Sequence, residues 1–250
     1  MTSIATRKPP ELAGMKKAGR IVARALDVVK EEARAGMTTG ELDAMVEELI
    51  RDNGARPAFK GYRGFPASIC TSINEEVVHG IPGERRLEDG DILSVDIGSE
   101  LDGYYGDAAI TVPVGEVSRE SRRLIDTTRR ALDAAIDVIR AGVTLDEIGR
   151  AVENEATGQG FSVVRQYTGH GIGTQMHESP QIPNFPAGNG RTVLPAGSTV
   201  AIEPMINAGT HRVKQLDDGW TVVTKDGRRS AHFEHTIAVE ENGPSIMTVL

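Results

Sequence analysis

At 250 residues the chain is long enough for one large domain or two small ones with ample core. Its 28 lysines and arginines against 36 aspartates and glutamates leave a net charge of −8, which argues against a specific nucleic acid or an anionic membrane as the main partner. Cys70 is the only cysteine, excluding a disulfide framework and a cysteine-rich zinc module; with no stretch resembling a secretory signal or a membrane span, the expected setting is the cytoplasm.

In chain order, residues 10–35 read as a helix, with Leu12, Met15, Ile21, Val22, Ala25, Leu26 and Val29 recurring at three- and four-residue steps and Gly36 as the expected C-cap. Thr38-x-x-Glu41 fits a capping box that opens a second helix running to Gly54. Residues 59–82 carry glycines, prolines and aromatics without helical period, which predicts a loop-rich wall with a short strand, ending in His79-Gly80-Ile81. Residues 90–112 then read as a hairpin turning at Asp102-Gly103. That hairpin brings Asp96 and Asp107 to within about two positions of being cross-strand neighbours. Two bare carboxylates about 4 Å apart would repel by roughly 4 kcal/mol at an effective dielectric near 20, so something must neutralise them.

The second half continues with a helix over 120–140, a shorter one after Thr144, and a strand near 161–165. Gly169-His170-Gly171-Ile172-Gly173 permits close backbone approach to a ligand, and His177 follows it. Residues 180–195 are expected to form an irregular surface loop. Closing strands are predicted over 198–206, 220–224 and 232–239, with Lys225-Asp226-Gly227 as a turn.

Much of this is said twice. Arg24-Ala-Leu-Asp27 matches Arg130-Ala-Leu-Asp133, and Ala35-Gly-Met-Thr38-x-x-Glu41 matches Ala141-Gly-Val-Thr144-x-x-Glu147. The segment ending in Asp96 aligns with the one ending in Glu203, and the one opening with Asp107 aligns with the one opening with Glu234. The repeat implies a duplication, roughly 10–116 and 117–250, closed into a single pseudo-symmetric domain. Four carboxylates at equivalent places then suggest one shared site, with His79 and His170 expected to face one another across its axis. Oxygen-rich clusters with a few imidazoles suit hard or borderline divalent cations. A dinuclear oxidase is disfavoured, because its ligands usually come from helices in Glu-x-x-His spacing, and here the acids lie on strands.

SINEEVVHGIP, the Asp96–Asp107 hairpin, GHGIG followed by His177, IEP around Glu203 and FEHT around Glu234 together resemble the type I methionine aminopeptidases of the "pita-bread" metallopeptidase superfamily, over nearly the whole chain. The resemblance implies an α+β fold, with two pseudo-symmetric halves of helices packed outside a curved, mainly antiparallel sheet. It implies Asp96, Asp107, His170, Glu203 and Glu234 as ligands of two divalent ions, for which Co, Mn, Fe and Zn all fit these donors. Asp107 and Glu234 would bridge both ions, Asp96 would chelate one, and His170 and Glu203 would hold the other. Such ions polarise a scissile carbonyl and lower the pKa of a bound water toward roughly 7.

By the same resemblance Glu203 doubles as proton shuttle, and His79 and His177 contact the scissile peptide without ligating metal. Phe59, Tyr62, Phe65, Cys70, His79, Met176, His177 and Trp220 would line the substrate pocket. Phe59, Phe65 and Met176 depart from bacterial relatives, where cysteine, tyrosine and phenylalanine are frequent, so pocket shape is expected to differ. Lacking a Cys/His-rich extension or an insertion between the closing strands, the chain resembles the short bacterial form.

The implied activity is removal of the initiator methionine from nascent polypeptides with a small second residue, by a cytoplasmic monomer, with transient docking at the ribosome left open. The alternatives are a proline-directed aminopeptidase of the same fold and a catalytically silent peptide-binding relative. Silent relatives lose ligands, whereas all five ligand positions here hold competent side chains.

Overall fold

Met15, Ala18, Val22, Ala25, Leu26 and Val29 recur along α1 (Pro9–Glu32) and are buried, in a computed structural model that describes residues 4–188 and 190–250. α1 ends three residues before the expected stop. The Ala33 amide closes the last turn on Val29, while Gly36, at φ +90, turns the connection and donates to the Leu87 carbonyl instead of capping the helix. α2 (Thr39–Asp52) starts at the predicted capping box, in which Thr38 Oγ1 accepts from the Glu41 amide at 3.1 Å and Glu41 accepts from the Thr38 amide at 2.7 Å.

α3 (Arg119–Asp137) stops before Arg140, whose guanidinium turns back to the Val138 carbonyl. α4 (Leu145–Gly158) repeats the capping box with Thr144 and Glu147. Each helix pair is fastened at its junction in the same way. Gly36 N–H donates to Leu87 O and Leu87 N–H to Met37 O; Gly142 N–H donates to Leu194 O and Leu194 N–H to Val143 O.

The strands of the first half are β1 (Arg56–Pro57), β2 (Ile69–Ile73), β3 (Glu76–Val78), β4 (Ile92–Leu101) and β5 (Tyr104–Pro113). Those of the second are β6 (Ser162–Val163), β7 (Gly169–Gly171), β8 (Glu178–Ile182), β9 (Thr199–Ile202), β10 (Met205–Asn207), β11 (Val213–Gln215), β12 (Val222–Thr224), β13 (Ser230–His232), β14 (His235–Glu240) and β15 (Gly243–Ile246). β4 pairs with β1, β2 and β5 in one sheet, and β15-β14-β9-β7-β8 form the other large one, all antiparallel. The two meet where β5 runs beside β14, the Glu234 amide donating to the Ala109 carbonyl at 2.9 Å.

Four predicted strands are shorter or broken, the one expected near 161–165 being only Ser162–Val163. The strand expected over 198–206 splits at Glu203-Pro204, because Pro204 has no N–H for the ladder; β9 stays in the large sheet and β10 turns to β6 and β13. The strand expected over 232–239 splits at Phe233-Glu234. β12 omits Trp220 and Thr221, whose amides are taken by Asp218 Oδ1 at 2.8 and 2.9 Å.

Residues 59–82 hold two strands, β2 and β3, where one was expected. The loop expected over 180–195 is strand to Ile182 and then tucks in a buried Asn184, while Asn189 lies outside the described residues.

The hairpins differ in register by two residues. Ala108 faces Ile97, whereas His235, its counterpart by sequence, faces Ile202, the counterpart of Val95. An even shift leaves each side chain on its face of the sheet. The main core lies between these sheets and the helices, and a smaller apolar cluster of Met15, Phe59, Phe65, Ala67, Cys70, Ile172 and Met176 walls the site. Among the described residues no helix is long and apolar enough to cross a membrane.

Candidate metal centre

The β4–β5 hairpin sets Asp96 opposite Ala109 and Asp107 opposite Gly98, so the two carboxylates are diagonal neighbours on one face. Gly98 is where only a glycine fits. A Cβ there would lie 2.7 Å from Phe59 and 2.9 Å from Ala58, so its absence lets the pocket wall lie against the strand. Glu203 and Glu234 sit at the two strand breaks, and the Glu203 carbonyl is held by the Asn184 amide at 3.0 Å. His170 is central in β7.

These side chains converge. One donor atom each from Asp107, His170 and Glu234 lie within 4.8 Å of one another. His170 Nε2 is 3.8 Å from Asp107 Oδ2 and 3.5 Å from Glu203 Oε1. His170 Nδ1 lies 2.9 Å from the Gly171 carbonyl; that bond puts the proton on Nδ1 and leaves the Nε2 lone pair facing the carboxylates. Burial lowers the His170 imidazole to about 4, so it is neutral near pH 7.

The carboxyls are pushed the other way. Burial raises Asp96 to about 7. Asp107 is raised by burial and then by repulsion from Glu234 and Asp96, and Glu203 and Glu234 rise for the same reasons. Asp96 Oδ1, Asp107 Oδ1 and Glu234 Oε1 are buried without a hydrogen-bond partner. Unpaired buried oxygens in a like-charged cluster are costly unless a cation completes them. The donor set, carboxylate oxygens with one neutral imidazole nitrogen, fits divalent metal.

Every site residue named from the sequence lines one cavity of about 130 Å³: Phe59, Tyr62, Phe65, Cys70, His79, Asp96, Asp107, His170, Met176, His177, Glu203, Trp220 and Glu234. Phe65 meets Trp220 edge-on at 5.1 Å between ring centres, and burial raises the Cys70 thiol, so this end presents an apolar lining. His177 Nδ1 is 2.9 Å from the Tyr62 hydroxyl, and its ring lies 4.1 Å from that of His170. Burial first, then His170 and Arg63, bring His177 down to about 3. His79, at φ +61, has Tyr167 and Trp220 edge-on at 5.8 and 6.4 Å. It shares the cavity with His170, but the ring that contacts His170, tilted by 39° at 4.1 Å, is that of His177.

Three residues not named from the sequence belong here. Arg63 lines the cavity mouth. His232, 1% exposed, points Nε2 at Glu203 and Glu234, 3.9 Å from each, with no hydrogen-bond partner. Thr236 bonds the backbone of Asp107. The motif around Glu234, His232-Phe-Glu-His-Thr236, holds two of them at even spacing, a signal that could have found both.

A sequence profile of metallopeptidase family M24 matches residues 13–241. Methionine aminopeptidase 1 of Bacillus subtilis is 49% identical, over 98% of this chain and 99% of its own length. The crystal structure of methionine aminopeptidase from Thermotoga maritima superposes with a TM-score of 0.97 at 45% identity, covering 99% of this chain and 100% of that one. That from Rickettsia prowazekii gives 0.96 at 41% identity, with 99% and 100% covered.

Proposed function

The chain belongs to metallopeptidase family M24, and from that premise we propose that it is a methionine aminopeptidase removing the initiator methionine from nascent polypeptides with a small second residue. We propose Asp96, Asp107, His170, Glu203 and Glu234 as ligands of two divalent cations. The observation that carries this is the convergence of the Asp107, Glu203 and Glu234 carboxyls on one neutral imidazole, with Asp96 in the same cavity and three of the four acids holding an orphaned oxygen, beside an apolar slot. The fastening shared by the two helix pairs supports reading the chain as one domain built from two related halves, roughly 10–116 and 117–250.

When bound, the cations supply Lewis acidity toward a carbonyl and a water acidified toward roughly pKa 7. The remaining work falls to the chain. Glu203 is the proton shuttle: its side chain keeps 14% exposure where Asp107 and Glu234 keep 4% and 2%, and it lies 3.5 Å from His170 Nε2, so it is a ligand that substrate in the cavity can still reach. His79 and His177, both held neutral by burial, offer ring N–H groups to the scissile peptide. Phe59, Phe65, Cys70, Met176 and Trp220 take the methionine side chain, and the close pair His170–His177 crowds the residue after it.

The deciding experiment strips the protein with chelator, reconstitutes it with Mn, Fe, Co or Zn separately, and follows cleavage of Met-Ala-Ser against x-Pro peptides. Metal-dependent release of methionine is expected. Preference for x-Pro, or binding without turnover at any metal, would replace this reading with one of the two alternatives.

A further inference from the structure

A second, open groove of about 600 Å³ adjoins the metal cavity and shares Arg63, His170 and His177 with it. If methionine occupies the apolar slot, the peptide downstream of the cut leaves through this groove; the inference therefore rests on the function proposed above. Apart from the shared residues, Ala5 and Gly169, the lining is polar, including Thr168, Gln175 and Gln181. Its one carboxylate, Glu178, is already engaged by Arg7 and by the amides of Thr174 and Gln175 at 2.9 and 3.1 Å. Among the described residues Arg63 forms no ion pair. It leaves a single uncompensated positive charge over the path.

The chain holds Arg63 there against backbone preference. It sits at φ +50 in a tight turn closed by Gly61 N–H to Phe65 O and Phe65 N–H to Tyr62 O, a conformation that favours glycine. The guanidinium lies 5.3 Å from the Tyr62 ring centre, that ring stacks on His177 at 5.3 Å, and His177 meets His170 at 4.1 Å with the ring planes tilted by 39°. Arg63 is thus the outer end of a line of ring contacts that begins at the metal centre. These three steps span at most roughly four extended residues at about 3.5 Å each, and the length of a glutamate side chain takes up roughly one to two of them.

We propose that Arg63 reads the substrate beyond the cut, selecting peptides with a carboxylate side chain at the second or third position after the removed methionine. An exposed charge pair of this kind is worth a modest, salt-sensitive preference.

The test compares C-terminally amidated Met-Ala-Ser peptides carrying Glu, Gln or Lys at those positions; amidation separates a side-chain carboxylate from a chain terminus. Expected is a kcat/KM about three- to five-fold higher for Glu than for Gln at low ionic strength, expressed in KM and fading with added salt. That ratio collapses toward one in Arg63→Gln and is retained in Arg63→Lys. A ratio of one in the unmodified protein, or one that survives Arg63→Gln, overturns the proposal. If no peptide is cleaved, the functional reading fails first. Calorimetric binding of the Glu and Gln peptides then decides this one by the same Arg63-dependent ratio.

Discussion

Thr236 Oγ1 accepts the Asp107 amide at 3.0 Å and donates to the Asp107 carbonyl at 2.8 Å, so one hydroxyl from the second sheet satisfies both backbone groups of a candidate ligand in the first. The Thr236 backbone is in turn held by the chain end, its carbonyl accepting the Met247 amide at 2.8 Å and its amide donating to Thr248 Oγ1 at 3.3 Å. Thr236→Val keeps the shape and orphans both groups of Asp107. The expected loss is about 2–5 kcal/mol in urea unfolding, with weaker metal binding by calorimetry; Thr236→Ser should lose far less of either.

Glu203→Gln should lower kcat by roughly 10² to 10⁴ with little change in the folded state, since an amide fills the same space. Asp107→Asn should abolish turnover. Removing a charge from a buried acidic cluster predicts that metal-free Asp107→Asn is no less stable than the metal-free parent. A large drop in its thermal midpoint would mean the carboxyl is structural.

His232 points an unpartnered nitrogen between Glu203 and Glu234, and a ring N–H there would orient both carboxylates. His232→Leu is expected to weaken metal affinity by about 10- to 100-fold, the usual scale for groups that orient ligands. His232→Gln, which keeps a donor, should restore most of it. Titration of the apoprotein with Mn or Co reads this directly.

Glu47 ties α2 to the pocket wall, bonding Lys60 Nζ and Ser68 Oγ at 2.7 Å each. Lys60 and then Ser68 hold its carboxyl down to about 2 from an ordinary 4.5. A depressed acid contributes stability above its unfolded pKa and loses it as pH falls through the folded one. The parent should therefore exceed Glu47→Gln by on the order of 1 kcal/mol near neutrality, after solvent screening, with the gap closing between about pH 4.5 and about pH 2. Urea midpoints across that range measure it.

What the sequence showed was mostly short-ranged. The capping boxes at Thr38 and Thr144, the turn at Asp102-Gly103, and the face shared by Asp96 and Asp107 follow from spacings of a few residues. The ligand and pocket positions came from motif resemblance, and the structure gathers them around one cavity. What stayed hidden depends on contacts between distant segments: the Thr236 hydroxyl reaching Asp107, the aim of His232, and the outward set of Arg63. The break at Glu203-Pro204 was legible in principle, because a proline inside a predicted central strand argues against continuity.

The two hairpins differ in pairing by two residues, and parity gives that number its meaning. A slip of one would swing Asp107 or Glu234 to the helix side and remove a donor from the centre, whereas a slip of two moves an acid along the sheet without turning it over. Over time each hairpin could drift only in double steps. A single-residue insertion or deletion within β4, β5, β9 or β14 should therefore abolish activity by turning an acid away from the centre, whereas a paired one keeps the side chains downstream on their face of the sheet, a difference that metal binding by deletion variants in either arm can check.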